Sequence, residues 1–122
     1  ILEIQITQDL VQKKSITPND AGCLKYIEDF LTERGFKNEI LTYGRVKNLW
    51  SVNRNNGPLL IFLGHVDVVP TGPENQWEHD PFSGFDDGKF IHGRGTGDMK
   101  GGIACFMAAL SRINTESLNY SI

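Results

Sequence analysis

The segment Gly93–Gly102 reads GRGTGDMKGG and runs directly into the apolar stretch IACFMAALSRI. Half of its residues are glycine, and a single carboxylate, Asp98, lies among them. The small and apolar residues that follow cover most faces of a helix, which is typical of a helix packed between neighbouring elements. The segment therefore predicts a tight turn that leads into a buried helix and holds one acidic side chain.

Asp98 has three interpretations at this point. The glycines do not complete a phosphate-binding pattern, because Lys100 is followed by Gly101 instead of Ser or Thr, and Asp98 occupies the last position of GxGxxG. The carboxylate could cap the helix, since Asp is a favoured N-cap residue. It could also span two divalent ions, with glycine on both sides letting the backbone approach the metals. The cap and the metal bridge both remain open.

The rest of the chain predicts an α/β fold, with a mixed sheet and flanking helices. Apolar spacing predicts one helix before Ser15 and a second helix between Asp20 and Gly35, where glycine is a stop signal. EILTYG and VKNLWSV predict two short strands. LLIFLG, which follows Pro58, predicts a central strand buried on both faces, and LNYSI predicts a further strand.

A second polar site is predicted where the buried strand ends. GHVDVVP places His65 and Asp67 just beyond LLIFLG, and ligands bind beyond the carboxyl ends of strands in α/β sheets. An imidazole binds a metal through one nitrogen, while a carboxylate or carbonyl commonly holds the other. The pair therefore predicts a metal ligand, His65, oriented by Asp67. A polar loop in which Asp67 caps a turn explains the same pattern.

Composition disfavours several classes of partner. The formal net charge is −3, so no basic face indicates binding to nucleic acid or to an anionic membrane. No apolar run approaches the length of a membrane span. Cys23 and Cys105 lack CxxC spacing, which predicts two buried, reduced thiols and a cytoplasmic protein.

Taken together, GHVDVVP, WEHDPF and GRGTGDMKGG occur in an order and at a spacing that closely resemble the zinc aminoacylase and peptidase (M20-type) family. The resemblance covers nearly all of the chain. It implies a zinc-peptidase-like α/β catalytic domain, of which residues 1–122 form the N-terminal portion. The dimerisation (lid) domain and the C-terminal part of the catalytic domain are then absent from this sequence.

The resemblance also implies roles for individual residues. His65 would bind one zinc ion, and Asp98 would bridge two zinc ions, for which Co(2+) would substitute. Asp67 would be a catalytic residue that orients His65. The family often has a cis peptide bond just after the bridging aspartate, which corresponds here to Asp98–Met99.

Within the family, SITPNDAGC, GPENQWEHDPF and DMKGGIACF look most like the desuccinylase branch. That branch implies hydrolysis of the amide bond of N-succinyl-LL-2,6-diaminopimelate to succinate and LL-2,6-diaminopimelate, in lysine and diaminopimelate biosynthesis. It also implies a small N-acyl diamino acid substrate, a cytoplasmic homodimer, and neither nucleic acid nor membrane as a partner. Deacetylation of acetylornithine, or hydrolysis of another N-acyl amino acid, is the alternative within the family.

The sequence contains only part of the site that this chemistry requires. In the family the general base is the first residue of a Glu-Glu pair, and no such pair occurs in these 122 residues. A catalytic zinc ion needs three protein ligands. We therefore expect this chain alone to be inactive and to bind zinc weakly. A non-enzymatic metal-binding module, built from His65, Asp67, His92 and Asp98, is the alternative from another class.

Overall fold

The computed structural model describes residues 1–122 and contains three helices and two antiparallel strand pairs. The helices are α1 (Leu2–Val11), α2 (Cys23–Thr32) and α3 (Gly101–Ser111). The strands are β1 (Lys37–Tyr43), β2 (Val46–Val52), β3 (Phe85–Asp86) and β4 (Ile91–His92). A short 3-10 helix covers Glu74–Gln76, and a π-type turn at Thr96–Lys100 leads into α3. The predicted α/β class and the three predicted helices are confirmed.

The main core lies where α1 and α3 meet. It contains six buried residues from α1, α2 and α3: Ile6, Leu10, Cys23, Ile103, Ala104 and Met107. Ile6 and Leu10 are one helical turn apart and therefore share a face of α1. A second core contains four buried residues: Leu31 at the end of α2, Phe36, Leu110 near the end of α3, and Ile122. Because both cores include α3, the predicted packing of this helix between neighbours is confirmed.

The strand pairing runs in both directions. β1 and β2 form an antiparallel hairpin, with Lys37 opposite Val52 and Tyr43 opposite Val46. Just beyond β2, Asn53 and Ile122 exchange backbone hydrogen bonds of 2.9 and 3.1 Å. The neighbouring Ser121 forms a parallel bridge with Leu59. The two strands predicted at EILTYG and VKNLWSV are thus confirmed, and LNYSI contributes one bridge instead of a strand.

The segment LLIFLG differs from its prediction. Its apolar side chains at positions 59–63 are 43–89% exposed, so burial on both faces is wrong for this chain. Within residues 1–122 the segment has a strand partner at its first residues only, where Leu59 pairs with Ser121. Phe62 stacks on Phe106 of α3, with ring centroids 4.1 Å apart. Burial on both faces requires neighbouring strands along both edges and packed layers on both faces, and apolar composition alone does not supply them.

The two cysteines also differ from each other. Both are free thiols, but only Cys23 is buried, whereas Cys105 is exposed on α3. The prediction of two buried thiols is therefore wrong for Cys105. Small size and apolar character favour burial without deciding which face of a helix a residue occupies.

Gly101 supplies a test of the packing at the start of α3. A Cβ at this position would lie 2.4 Å from the backbone oxygen of Thr96. We expect Gly101→Ala to lower the free energy of unfolding by about 1–3 kcal/mol, because the added methyl group overpacks the turn. Gly97→Ala is the matched control, since its Cβ would meet nothing within 4 Å. Urea unfolding measures both, and equal midpoints would contradict the close approach at Gly101.

Candidate metal centre

The structure brings the three predicted site residues together around one imidazole ring. His65 Nε2 lies 2.9 Å from Asp98 Oδ1, although the two residues are 33 positions apart. His65 Nδ1 lies 3.1 Å from the backbone oxygen of Asp67 and 3.2 Å from its Oδ1. The Asp98 side chain is 89% exposed, so its carboxylate is open to a ligand.

The segment that carries His65 and Asp67 is anchored on the loop after α1. Val68 forms a parallel bridge with Ile16. The Val68 N–H donates to Ser15 O at 2.9 Å, and the Thr17 N–H donates to Val68 O at 3.1 Å. The buried Ser15 hydroxyl donates to Val66 O at 2.7 Å. These bonds hold the backbone on both sides of Asp67.

Thr17 is a site residue that the sequence analysis missed. Its hydroxyl donates to Asp67 Oδ2 at 2.5 Å, so it fixes the carboxylate that faces the His65 ring. SITPND predicts only a loop before a helix. No spacing relates Thr17 to a carboxylate 50 residues further along the chain.

Asp98 projects from an irregular turn. The Lys100 N–H donates to Gly95 O at 2.9 Å and closes a π-type turn. Inside it, Asp98 (φ −129°, ψ 92°) and Met99 (φ −136°, ψ 26°) leave the helical conformation, and their peptide bond is cis, as the family resemblance implies. Neither this turn nor α3 has a side-chain cap. The structure therefore does not show Asp98 as a helix cap.

Met99 and Gly64 bring the two halves of the site together. Met99 packs against the core between α1 and α3, and its sulfur lies 3.3 Å from the backbone nitrogen of His65. A Cβ at Gly64 would lie only 3.2 Å from the Met99 methyl carbon. A glycine before His65 thus leaves room for the residue after Asp98.

Lys100 ties the same turn to α1. Its side chain is fully buried, and its ammonium donates to Lys13 O at 2.9 Å, just beyond the end of α1. Burial lowers the pKa of Lys100, because it disfavours the charged form. A lysine at the start of a helix usually indicates an exposed position, so the sequence carried no signal for this contact.

The two aspartates and the threonine set the protonation of the site. Partial burial alone would lower the pKa of His65, but the hydrogen bonds that its ring donates to Asp67 O and Asp98, with the charges of both aspartates, raise it above its usual value. The Thr17 hydroxyl is the main cause of a lowered pKa at Asp67, which partial burial opposes. Both shifts favour the charged forms while no metal is bound.

These side chains line a polar cavity of 270 Å³. Thr17, His65, Asp67, Arg94 and Asp98 contribute to its wall, together with the glycine-rich backbone from Gly93 to Gly97. Asp67 faces His65 Nδ1 instead of joining Asp98 at Nε2. His65 and Asp98 are therefore the two side chains whose possible metal-binding atoms converge. Residues 1–122 contain no group of three or more His, Cys, Asp or Glu side chains placed to hold a metal ion.

His92 lies outside this site. Its Nε2 is 2.6 Å from Asp87 Oδ2, and its ring makes an edge contact with His79 at 4.9 Å between centroids. His79 in turn packs on Phe85 at 4.2 Å. The structure thus does not assemble the four-residue module of His65, Asp67, His92 and Asp98.

Comparison with known proteins shows a consistent similarity. The sequence profile described as Peptidase family M20/M25/M40 matches residues 61–122. Succinyl-diaminopimelate desuccinylase of Hydrogenovibrio crunogenus is 52% identical over 107 residues, covering 87% of this chain and 28% of the relative. The Marinobacter nauticus protein of the same name is 44% identical over 117 residues, which are 96% of this chain and 31% of that protein. The chain thus spans about three tenths of the length of these relatives.

Solved structures show the same fold. An M20 family metallo-carboxypeptidase from Sulfolobus solfataricus superposes with a TM-score of 0.84 at 22% identity, covering 98% of this chain and 29% of that protein. Human carnosine dipeptidase 1 superposes with a TM-score of 0.79 at 19% identity, covering 98% of this chain and 30% of that protein. Among the helices of residues 1–122, none combines the length and the apolar character that crossing a membrane requires.

Removal of the Thr17 hydroxyl tests the electrostatics of the site. Because this hydroxyl is the main cause of the lowered Asp67 pKa, we expect Thr17→Val to raise that pKa toward its ordinary value. The lowered pKa stabilises the fold above the unfolded-state pKa of Asp67, and this contribution is lost as the pH falls through the folded-state pKa. Thr17→Val should therefore weaken the loss of stability on acidification.

Thr17→Ser retains the donor and is the control. Carboxyl chemical shifts of Asp67, followed by NMR across the acidic range in metal-free protein, measure the effect. An unchanged Asp67 titration in Thr17→Val would contradict the role given to Thr17.

Proposed function

Since this chain belongs to the M20/M25/M40 peptidase family, we propose that it supplies part of the metal centre of a zinc-dependent amidohydrolase. One observation carries the proposal: His65 Nε2 and the exposed Asp98 carboxylate converge to 2.9 Å at the wall of a polar cavity. Asp67 contacts the other ring nitrogen of His65 and fixes the direction of the imidazole, and the Thr17 hydroxyl holds Asp67 in place.

The donor set fits zinc. Zinc binds imidazole nitrogen and carboxylate oxygen, and a metal-bound imidazole commonly has its other nitrogen held by a carboxylate or carbonyl. His65 would bind through Nε2 while Asp67 holds Nδ1, and Asp98 would offer its two oxygens to two ions. Bound zinc would polarise the substrate carbonyl and make a bound water more acidic.

The chain's own residues would orient and tune this centre. Asp67 keeps the imidazole nitrogen directed at Asp98, and the Thr17 hydroxyl lowers the pKa of the Asp67 carboxyl. The buried Lys100 and Met99 fix the turn from which Asp98 projects. The contribution of these residues is therefore positional, because a misplaced ligand loses much of its effect.

Three protein ligands are the minimum for a catalytic zinc ion. We propose that residues 1–122 are the N-terminal portion of the catalytic domain, and that the general base and the remaining ligands belong to other parts of a longer protein. The share of the relatives' length that this chain spans, 28–31%, supports the proposal that it is part of a longer protein.

The proposed reaction is hydrolysis of N-succinyl-LL-2,6-diaminopimelate to succinate and LL-2,6-diaminopimelate. Its support is the name shared by several bacterial relatives that are 41–52% identical to this chain. The proposal includes two zinc ions, replaceable by cobalt, in a cytoplasmic homodimer. Support for these finer features comes from the family resemblance of the motifs around His65 and Asp98.

Substitution of the proposed bridge tests its role. In the longer protein that carries this sequence, we expect Asp98→Ala to abolish desuccinylation. Zinc affinity should fall by more than about 100-fold, since even the loss of an orienting partner costs 10–100-fold. Asp29→Ala is the control, because Asp29 pairs with Lys25 on the exposed face of α2. Turnover and zinc stoichiometry are the measurements, and normal turnover in Asp98→Ala would remove Asp98 from the bridging role.

Zinc titration of the 122-residue chain separates a partial site from a self-sufficient module. We expect weak binding that depends on His65 and is unchanged in His92→Ala, because His92 pairs with Asp87 away from the site. Isothermal titration calorimetry of the parent chain, His65→Ala and His92→Ala makes the comparison. Tight binding of one zinc ion that is lost in His92→Ala would instead support the non-enzymatic module.

A further inference from the structure

We propose that Arg94 is a substrate-binding residue of this site and that its guanidinium binds a carboxylate of the substrate. The inference rests on the proposed function, and it names a chemical feature of the substrate that this cavity would recognise. Arg94 lines the same 270 Å³ cavity as His65 and Asp98. An anion bound by Arg94 would therefore lie beside the proposed metal centre.

The guanidinium of Arg94 has no carboxylate partner, and its Nε has no hydrogen bond. The Nε is buried, and no carboxylate lies within 4.0 Å of the charged nitrogens. Buried donors are nearly always bonded, so an orphaned one calls for a specific explanation. Because this Nε is buried, a ligand in the cavity would bond to the other nitrogens of the guanidinium.

The nearby acids are already engaged. Asp67 accepts from Thr17 and faces His65 Nδ1, while Asp98 contacts His65 Nε2. Neither carboxylate neutralises Arg94. The arginine therefore leaves a positive charge at the cavity wall that a ligand can compensate.

The side chain is held from both ends. The guanidinium carbon lies 5.1 Å from the centroid of the Trp77 ring, and the Trp77 indole N–H donates to Thr71 O at 3.0 Å. The Arg94 backbone N–H donates to Pro81 O at 2.7 Å. A cation held over the face of an aromatic ring is attracted to the ring, and this contact leaves guanidinium N–H groups free to donate.

The flanking glycines fix the backbone as well. A Cβ at Gly93 would lie 2.7 Å from Val11 Cγ1, and one at Gly95 would lie 2.5 Å from Val68 Cγ1. The close approach presses the Arg94 backbone onto α1 and onto the segment that follows His65. The arginine is thus positioned by the same contacts that assemble the metal centre.

A carboxylate is the anion that suits this arrangement. The guanidinium fork is planar and always charged, and it binds carboxylates through two parallel hydrogen bonds. N-acyl amino acids carry a carboxylate at a distance from the scissile amide. Arg94 would hold that carboxylate and thereby direct the amide toward His65 and Asp98.

Succinate and its neutral analogue succinamide are the probes. In the metal-free 122-residue chain, from which the chelator has been removed by dialysis, we expect succinate to shift the Arg94 Nε–H resonance and the Gly93–Gly97 amides saturably in ¹⁵N NMR spectra, with succinamide giving no saturable shift. Arg94→Gln should abolish the succinate response, and Arg94→Lys should retain a weakened one because it keeps the charge without the fork. Arg54→Gln, at an exposed position of equal charge, is the matched control and should respond like the parent.

Equal responses to succinate and succinamide would overturn the proposal, as would a succinate response that survives in Arg94→Gln. If Arg94→Gln perturbs the whole spectrum, the comparison of the two probes in the parent chain still decides. Because zinc is absent from this experiment, failure of anion binding is distinguishable from failure of the metal site. A carboxylate response without zinc binding in the separate titration would support Arg94 and count against the metal centre alone.

Discussion

The packing of α3 against α1 is the interaction on which the site depends. Ile6 and Leu10 of α1 bury against Ile103, Ala104 and Met107 of α3. The turn before α3 carries Asp98, and the loop after α1 carries Thr17, so this contact sets the distance between the two halves of the site. Gly93, Gly95 and Gly101 allow the backbones to approach, because a Cβ at any of them would come within 2.7 Å of a neighbouring atom. Lys100 adds one hydrogen bond that locks the turn to the chain leaving α1.

Much of this arrangement could be predicted from sequence. Helical periodicity and stop signals predict the three helices, and the positions of His65, Asp67 and Asp98 next to apolar segments predict the polar site. The bridging role of Asp98 remains a proposal, since it needs partners that this chain does not contain. Chain-distant contacts left no such pattern: Thr17 reaches Asp67 and Lys100 reaches Lys13 only through tertiary packing. Burial of LLIFLG was wrong because it depends on neighbouring strands and layers that composition does not specify.

The polar side chains in the cavity wall have different roles. His65 and Asp98 present possible metal-binding atoms to solvent. Asp67 faces the opposite edge of the imidazole and accepts a hydrogen bond from Thr17, and neither of these two residues is hydrogen-bonded to Asp98. Arg94 also lies at this wall, and its guanidinium carbon is 5.1 Å from the ring centroid of Trp77, in the loop before β3. Long loops that carry such residues are typical of binding sites, because a rigid core positions them while solvent still reaches them.

The central claim is that His65 and Asp98 bind the same metal ion, and zinc-edge anomalous diffraction from zinc-loaded crystals of the proposed longer protein tests it most directly. We expect an anomalous peak about 2.0–2.2 Å from both His65 Nε2 and an Asp98 carboxylate oxygen. A zinc ion bound elsewhere, with His65 and Asp98 still joined only to each other, would contradict the claim.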